Sequence, residues 1–429
     1  MLEQEKRDAI IRLMHEQVVP AVGCTEPMAV ALCVARATEL LGQRPEKINV
    51  LLSPNILKNA MGVGIPGTGM IGLPIAIAMG AIVGKSEYQL EVIKDLTPQT
   101  LDEGKEYIKG NHISIGLKEK CCDKLYIEVE VEAEGHKAQA VIMHTHTNIT
   151  HEERDGEVLT DKTVATGGCA GTSGPQLTLR TVWDFATTSP VEELAFIKEA
   201  KRYNMNAAEE SLKGNYGHCL GKSMVRPLST GLFGNSIYSH IIAKTALACD
   251  ARMGGAMVPV MSNSGSGNQG ICATNPVAVF AKENENTEEE LIRALTLSHL
   301  TVIYIKQSLG PLSALCGCVV ASIGASCGIV YLMGGGYDRI CYAAKNMIAI
   351  LTGMVCDGAK PSCSLKISSG VSTAVLSAML AMEGRYVTSA EGIIDDDIDQ
   401  CVHNLTNIGK DAMCATDTMI LNIMTHKKG

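Results

Sequence analysis

Three long stretches of the chain carry no charged residue, and they constrain the fold more than any other feature. They cover residues 59–84, 253–281 and 307–337. By length each could span a lipid bilayer. However, Gly, Pro, Ser, Asn and Cys interrupt all three, and Leu, Ile and Phe are sparse in them. We therefore expect these stretches to form buried walls around a site in a protein that does not enter a membrane.

The apolar residues of the chain are mostly small. Hydrophobic residues make up 46% of the sequence but aromatic residues only 4%, and there are 42 Gly and 20 Met. Small side chains let backbones approach closely, so we expect tightly packed helices. The net charge of −9, with no run of Lys or Arg to offset it, argues against a nucleic-acid partner.

The chain contains 16 Cys. Its first eight residues are mostly charged or polar and lack the apolar core of a secretory signal, so we expect a cytoplasmic protein with reduced thiols. Most buried cysteines behave as small hydrophobic residues. We therefore expect only three or four of the cysteines to have a chemical role.

Hydrophobic periodicity divides the chain into two parts. Helical patterns over residues 3–19 and 27–42 are followed by alternating runs typical of strands, at 47–53, 113–117, 125–131 and 137–144. Glu134 and Gly135 between the last two runs indicate a hairpin turn. Residues 152–156 indicate a polar loop, and residues 167–175, rich in Gly, indicate a flexible segment.

From about residue 190 the pattern is helical almost without interruption. The predicted helices cover residues 191–202, 235–252, 287–307, 311–333, 340–354 and 364–382. The sequence therefore predicts an α+β fold. We expect a mixed α/β N-terminal domain with a mainly antiparallel sheet over residues 1–185, and an all-α C-terminal domain over residues 186–429.

Three cysteines of the C-terminal part lie where helices meet loops. Cys316 is near the start of an apolar helix, and Cys356 and Cys363 flank a loop containing Gly and Pro. Thiolates in such places lie near backbone N–H groups and suit a metal cluster. A Cys-rich helical core explains the same pattern, and zinc is a competing interpretation that no Cys-x-x-Cys pair supports. Three further cysteines are expected to line the core: Cys318, Cys327 and Cys341.

A polar run at residues 262–270, Ser-Asn-Ser-Gly-Ser-Gly-Asn-Gln-Gly, lies inside a charge-free stretch. Its glycines expose N–H groups that can hold a carboxylate, and its hydroxyl and amide groups add uncharged donors and acceptors. A polar run in an apolar wall needs partners or a ligand, so we favour a binding site over an ordinary loop. Its candidate binding residues are Asn263, Ser264, Ser266, Asn268 and Gln269.

Cys24 precedes a predicted helix within the motif Gly-Cys-Thr-Glu-Pro. Thr25 is a plausible cap for that helix, which is a purely structural explanation of the motif. The functional alternative is that the helix dipole lowers the pKa of the Cys24 thiol.

Two further motifs supply charged candidates. Lys58, between Asn55 and Asn59, is either a surface residue or the partner of a carboxylate or base. His146 follows a predicted strand, and alternation would place it on the same face as His144. This pair is either exposed or contributes a histidine to a site.

Taken together, eight motifs resemble one family closely. They occur in order from about residue 20 to about residue 370, and they read Gly-Cys-Thr-Glu-Pro, Ser-Pro-Asn-x-x-Lys-Asn, Pro-Gly-Thr-Gly, His-Thr-Asn-Ile, Asp-Ala-Arg-Met-Gly-Gly, the polar run, Leu-Ser-Ala-Leu-Cys and Cys-Asp-Gly-Ala-Lys-x-Ser-Cys. This series resembles the L-cysteine desulfidases, which are relatives of the iron–sulfur L-serine dehydratases.

The resemblance implies an oxygen-sensitive lyase that converts L-cysteine to pyruvate, ammonia and hydrogen sulfide without pyridoxal phosphate. It implies a [4Fe–4S] cluster held by Cys316, Cys356 and Cys363, with one iron open to the substrate thiolate. Cys24 would replace one of these ligands or occupy the open iron at rest. A homo-oligomer, such as a dimer, is also expected.

The resemblance also assigns roles within an amino-acid site. The implied substrate-binding residues are the five of the polar run together with Asn55, Asn59 and Arg252. The candidates for the catalytic base, among which spacing does not decide, are Lys58, His146 and His299. Cys24 is a further catalytic candidate.

Three alternatives remain open at this point. The nearest is an L-serine dehydratase that works by the same mechanism, with hydroxide as the leaving group. A non-catalytic iron–sulfur sensor or electron carrier belongs to a different class, and the polar run at residues 262–270 counts against it. The third is a membrane channel or carrier.

Overall fold

The computed structural model describes residues 2–119, 123–162, 174–310 and 312–427. The strands in these residues are β1 (Pro20–Val22), β2 (Lys47–Leu52), β3 (Ile113–Leu117), β4 (Tyr126–Ala133), β5 (His136–Met143), β6 (Ile149–Arg154), β7 (Glu157–Asp161) and β8 (Pro259–Met261). The N-terminal helices are α1 (Gln4–Gln17), α2 (Thr25–Leu41), α3 (Pro54–Ala60), α4 (Leu73–Ile82) and α5 (Pro98–Lys109).

The rest of the described chain is mostly helical. Its helices are α6 (Leu179–Thr188), α7 (Val191–Leu194), α8 (Lys198–Lys213), α9 (Leu220–Met224), α10 (Pro227–Phe233), α11 (Ile237–Met253), α12 (Gly267–Glu283), α13 (Glu288–Leu309), α14 (Gly317–Leu332), α15 (Tyr337–Leu351), α16 (Cys363–Met382), α17 (Ile398–Asn407) and α18 (Cys414–Thr425). The predicted α+β class, with a helical C-terminal half, is confirmed.

Six strands form the N-terminal sheet in the order β3-β2-β4-β5-β6-β7. Strands β2 and β3 are parallel, and the other neighbouring pairs are antiparallel. The prediction of a mainly antiparallel sheet is therefore confirmed. Glu134 and Gly135 form the predicted hairpin turn, with φ values of 51° and 80°. Two successive positive φ angles are what a two-residue hairpin turn of type I′ requires.

Helix α2 covers the inner face of this sheet. Every residue from 25 to 35 is buried, and most of them are small. The Cys33 thiol reaches the Ala140 carbonyl at 3.3 Å, so α2 lies directly on β5. Helix α4 packs against α2, where a Cβ on Gly80 would lie 2.6 Å from the Ala31 carbonyl oxygen. Larger residues could not pack at this distance.

Helix α14 lies at the centre of the C-terminal half, in contact with α12, α13, α15 and α16. It passes α13 closely, because a Cβ on Gly324 would lie 2.4 Å from the Ser298 carbonyl oxygen. This helix comes from the charge-free stretch at residues 307–337. The expectation that small residues pack helices closely is met here.

A two-stranded ribbon joins distant parts of the chain. Strands β1 and β8 are antiparallel, with Ala21 opposite Val260. The amide of Ser262 continues the pairing by donating to the Val19 carbonyl at 2.8 Å. The ribbon therefore places the start of α2 beside the polar run at residues 262–270.

The first helix packs with the C-terminal half. Ile10, Leu13 and Met14 of α1 share a hydrophobic core with α12, α13 and α14. The predicted boundary between residues 185 and 186 falls inside α6, which packs on α13. A division of the chain into domains at that position stays a prediction.

Three local predictions are wrong, and one helix is missed. Residues 152–156 belong to a second hairpin, formed by β6 and β7, and the helix predicted over 191–202 is interrupted by a 3-10 turn at Ala195–Ile197. The helix predicted over 311–333 begins only at Gly317. Helix α12 is not predicted, because its glycine-rich start and Pro276 hide its helical period. Residues 167–173 of the predicted flexible segment lie outside the described residues.

By length and composition alone, one described helix could cross a bilayer. This helix is α16. In its most apolar window of 18 residues, 39% is buried inside the protein. A core helix of a soluble protein meets the same criterion.

Candidate functional site

A short backbone ladder holds Cys316 and Cys356 together. Leu315 and Val355 form an antiparallel bridge, and the amides of both cysteines donate to carbonyls of the opposite segment, at 3.0 and 2.6 Å. Side chains alternate along each strand, so the residues that directly follow Leu315 and Val355 point to the same face of the ladder. Cys316 and Cys356 are therefore diagonal neighbours across the ladder, for which the distance between Cβ atoms is typically about 7 Å.

Cys363 reaches the same place from the start of α16. The loop that leads to it packs tightly on α3, since a Cβ on Gly358 would lie 2.2 Å from the Lys58 carbonyl oxygen. Electrostatic interactions link each pair among Cys316, Cys356 and Cys363. The structure thus brings together the three cysteines that the resemblance implies as cluster ligands.

Positive charge surrounds these three thiols. Four lysines interact electrostatically with them: Lys58, Lys306, Lys360 and Lys366. Burial raises the pKa of Cys356 to about 11, and the Lys58 ammonium opposes that shift. Hydrogen bonding with the Cys318 thiol lowers the pKa of Cys316 to about 7. Neighbouring cations favour the thiolate form that binds metals.

This donor set fits a cluster better than a single ion. Among the described residues, no three His, Cys, Asp or Glu side chains converge closely enough to hold one metal ion. A zinc site, with all its ligands on one ion, is therefore not formed there. In an iron–sulfur cluster each thiolate binds its own iron, so the ligands lie further apart. Three thiols on separate segments beside cations meet that requirement.

A second polar group surrounds Glu26 in the first turn of α2. We call it the Glu26 group, and its members are Cys24, Glu26, Asn59, His146 and Arg252. The Glu26 carboxylate accepts hydrogen bonds from the Cys24 thiol at 2.9 Å and the Asn59 amide at 3.1 Å. It also interacts electrostatically with His146 and Arg252. The group assembles residues from four distant parts of the sequence.

Several polar atoms in and beside this group have no partner. Four are buried without a hydrogen bond: Asn59 Oδ1, His146 Nε2, Arg252 Nε and Gln269 Oε1. An unpaired buried polar group costs about 1–3 kcal/mol, so four in one region indicate a site for a polar ligand. Arg252 is only 2% exposed, and a Cβ on Gly267 would lie 2.2 Å from its Nε. Its guanidinium therefore lies at the N-terminus of α12, which also favours an anion.

Helices α3 and α11 connect the Glu26 group to the thiols. On α3, Lys58 interacts with Cys356, while the next residue, Asn59, binds Glu26. On α11, Cys249 lies almost one turn before Arg252 and interacts electrostatically with both Arg252 and the thiol at the start of α16. The two groups are therefore neighbouring parts of one site.

The structure separates the three candidate bases. Burial lowers the pKa of His146 below its usual 6.5, with Glu26 acting in the opposite direction. His146 is therefore neutral at pH 7, and its unpaired Nε2 can accept a proton. His299 is fully buried, and both its ring nitrogens are engaged, Nδ1 with the Asn263 amide at 3.0 Å and Nε2 with the Thr274 hydroxyl at 2.9 Å.

The third candidate, Lys58, binds a carboxylate of the protein itself. Its Nζ pairs with one oxygen of Asp417, and the Asn55 amide donates to the other at 2.8 Å. Asp417 lies on α18, so the C-terminal helix occupies this part of the site. A substrate carboxylate would have to displace α18 to reach Lys58 and Asn55, whereas Arg252 requires no such movement.

The polar run at residues 262–270 is a turn followed by the start of α12. Ser264 donates to the Asn263 side-chain oxygen at 2.8 Å, and Ser266 caps α12 by accepting from the Gln269 amide. Asn268 faces two sulfur atoms of α11, at 3.6 and 3.4 Å. Of the five predicted binding residues, Gln269 is the one with a buried, unpaired side-chain oxygen.

Two expectations about Cys24 and Thr25 are wrong. Cys24 is itself the N-cap residue of α2, and Thr25 is the first residue of the helix. Instead of capping, the Thr25 hydroxyl lies within hydrogen-bond distance of two acceptors, the Glu26 carboxylate at 3.1 Å and the Gly265 carbonyl at 3.3 Å. Burial and the Glu26 carboxylate raise the pKa of Cys24 well above its usual value. The helix dipole therefore does not produce a thiolate at this position.

His144 and His146 do not share a face of a strand. Strand β5 ends at Met143, and His144 adopts a left-handed φ of 69°. His144 pairs with Asp123, whereas His146 faces the Glu26 group. Alternation fails because the chain turns at His144.

Six charged residues of the site are not among the sequence candidates: Glu26, Lys306, Asp357, Lys360, Lys366 and Asp417. Glu26 resembles an ordinary acidic residue in the first turn of a helix, so its sequence position does not distinguish it from a purely structural residue. Burial lowers the pKa of Lys306 to about 8. Its position immediately before the charge-free stretch at 307–337 was a usable signal, as was that of Lys366 three residues after Cys363.

The sequence matches the family described as serine dehydratase alpha chain over residues 87–422. Among its relatives is a UPF0597 protein of Phocaeicola vulgatus, 62% identical over 429 residues and covering 100% of both chains. A UPF0597 protein of Bacteroides thetaiotaomicron is 61% identical over 429 residues, with the same coverage. One of Aeromonas hydrophila is 44% identical over 421 residues, covering 97% of this chain and 96% of the relative.

The family match covers most of the chain and includes the three thiols. The resemblance to the iron–sulfur serine dehydratases is thereby confirmed, and the family indicates a lyase that uses an iron–sulfur cluster. The chain belongs to the serine dehydratase alpha-chain family.

Proposed function

We propose that this protein is an iron–sulfur-dependent L-cysteine desulfidase, which converts L-cysteine and water to pyruvate, ammonia and hydrogen sulfide. One observation carries the proposal. Three thiols beside lysines lie next to a buried polar group whose Arg252 and His146 have unpaired nitrogens. A thiol-bound cofactor and an amino acid would be held side by side by this arrangement.

Cys316, Cys356 and Cys363 are the residues that would hold the cluster. When bound, a [4Fe–4S] cluster supplies a Lewis acid with affinity for sulfur, which assists departure of a sulfide leaving group. Lys58, Lys306 and Lys366 offset the negative charge that gathers there.

The Glu26 group would orient the amino acid. Arg252 and the N-terminus of α12 bind its carboxylate, since both are positive and Arg252 has no competing partner at Nε. Burial favours protonation of Glu26, but His146, the Cys24 thiol and Arg252 outweigh it and lower the net pKa of Glu26 below its usual value. Glu26 is therefore ionised at pH 7, and its carboxylate accepts hydrogen bonds from the ammonium group of the substrate.

His146 is the proposed base. Its Nε2 takes the Cα proton, the electrons of that bond form the Cα–Cβ double bond, and sulfide leaves Cβ with its bonding pair. Glu26 stabilises the imidazolium that forms. The aminoacrylate product leaves the site and reacts with water to give pyruvate and ammonia.

An L-serine dehydratase is the second candidate, because the matched family is described as serine dehydratase alpha chain. It would use the same residues, with hydroxide leaving in place of sulfide. A thiol leaving group suits iron better than a hydroxyl group does, which favours cysteine.

Turnover of the two substrates tests the proposal directly. The protein is reconstituted with iron and sulfide without oxygen, freed of excess sulfide, and given L-cysteine or L-serine in parallel, with Cys356→Ala as control. We expect equal amounts of sulfide and pyruvate from cysteine, lost in the control. Faster turnover of serine would establish the dehydratase instead. A bound cluster without turnover of either substrate would refute the lyase proposal and favour a sensor or carrier.

A further inference from the structure

The loop between Cys356 and Cys363 has little regular structure of its own. Residues 356–360 are in neither helix nor strand, and Gly358 has a φ of 88°. Segments with few internal hydrogen bonds open easily unless side chains fix them. Contacts from outside the loop must therefore keep its two thiols in place.

Lys366 fastens this loop from the first turn of α16, three residues after Cys363. Its Nζ donates to the Val355 carbonyl at 2.8 Å and pairs with the Asp357 carboxylate. One ammonium group thus holds the backbone immediately before Cys356 and the side chain immediately after it.

The need to neutralise the Asp357 carboxylate does not by itself explain the presence of a lysine at position 366. Lys360 already pairs with the same carboxylate at 2.5 Å, and the two lysine side chains are equally exposed, at 24%. Lys360 otherwise donates to the carbonyls of Asp357 and Gly358, at 2.8 and 3.2 Å, which lie within its own loop. Lys366 is the one of the two that joins α16 to the segment before Cys356.

We propose that Lys366 is a positioning residue, which fixes Cys356 relative to Cys363 so that the thiols are in place before iron binds. The inference rests on the proposed function, because it takes these thiols as iron ligands. Residues that orient the ligands of a metal contribute to its retention although they do not touch it.

Iron retention tests the inference in the full-length protein. Wild type, Lys366→Met, Lys366→Arg and the matched control Lys360→Met are reconstituted without oxygen, and the loss of iron to a chelator is followed over time. We expect Lys366→Met to lose iron at least about ten times faster than wild type. Lys360→Met should stay within about twofold, and Lys366→Arg should recover most of the retention. Circular dichroism checks folding, and Lys366→Gln repeats the comparison with a polar side chain.

Each other outcome has a defined meaning. Equal retention in wild type, Lys366→Met and Lys366→Gln would overturn the inference and leave iron binding intact. Equal acceleration in Lys366→Met and Lys360→Met would assign the effect to the charge on Asp357, which also overturns it. A wild-type protein that binds no iron would remove the proposed function, and the inference with it.

Discussion

The three thiols and the Glu26 group are neighbours, but they differ in how completely their polar atoms are paired. The thiol segments are tied by backbone hydrogen bonds of 3.0 and 2.6 Å and by Lys366. The Glu26 group, in contrast, leaves atoms of Asn59, His146 and Arg252 unpaired. The backbone and lysine contacts that hold the thiol segments are made within the protein, whereas the Glu26 group leaves side-chain nitrogen and oxygen atoms without a partner. We take this difference to separate a place for a permanent cofactor from a place for a substrate that enters and leaves.

The largest expected effect comes from the unpaired base. Replacing His146 by Gln removes the proposed proton acceptor while keeping a side chain of similar polarity, so kcat for L-cysteine should fall by about 10²–10⁴. Iron content should not change, because His146 lies in the substrate region. His144→Gln is the matched control, since that side chain pairs with Asp123 instead. Equal losses in the two variants would argue against His146 as the base.

Arg252→Met should have the next largest effect. Removing one partner of a buried charge interaction costs about 3 kcal/mol, or roughly a hundredfold in kcat/KM. Steady-state kinetics with L-cysteine, together with iron analysis, measure the two regions separately. Arg252→Lys should keep part of the activity because it keeps the charge. Loss of iron in Arg252→Met would show that the two regions are not independent.

The pH dependence should show the same base. Burial holds the pKa of His146 below 6.5, so activity should be flat near neutral pH and fall about tenfold per unit only once the pH drops below that pKa. The stability gained from the neutral imidazole follows the same direction, because it is present above pH 6.5 and is lost as the pH falls through the folded-state pKa. A pH–rate profile of wild type and His146→Gln measures this limb. A limb that persists in His146→Gln would belong to another group.

The sequence predicts a feature of the fold or of these two regions when the residues that form it are close together in the chain. The hairpin turn is specified by two adjacent residues, Glu134 and Gly135, and the motifs that contain the thiols are short. Both can therefore be predicted from the sequence. The Glu26 group cannot, because its members come together only through the ribbon of β1 and β8 and the turn after β5. The pairing of Lys58 with Asp417, 359 residues away, leaves no local pattern.

The smallest effect should come from a cysteine outside both regions. Cys327 is fully buried in α14, and burial raises its pKa, as expected of a core thiol. Cys327→Ala should destabilise the fold by about 1 kcal/mol and leave iron content and turnover unchanged. Urea unfolding measures the first and iron analysis the second. Loss of iron would place Cys327 in the cluster region after all.

Iron content after anaerobic reconstitution tests the central claim most directly. Cys316→Ala, Cys356→Ala and Cys363→Ala are compared with Cys318→Ala, whose sulfur lies only 3.5 Å from that of Cys316. We predict about four irons per chain in wild type and in Cys318→Ala, and a clear loss in the other three variants. Iron retained in all four variants, or lost equally from Cys318→Ala, would contradict the assignment of the cluster to these three thiols.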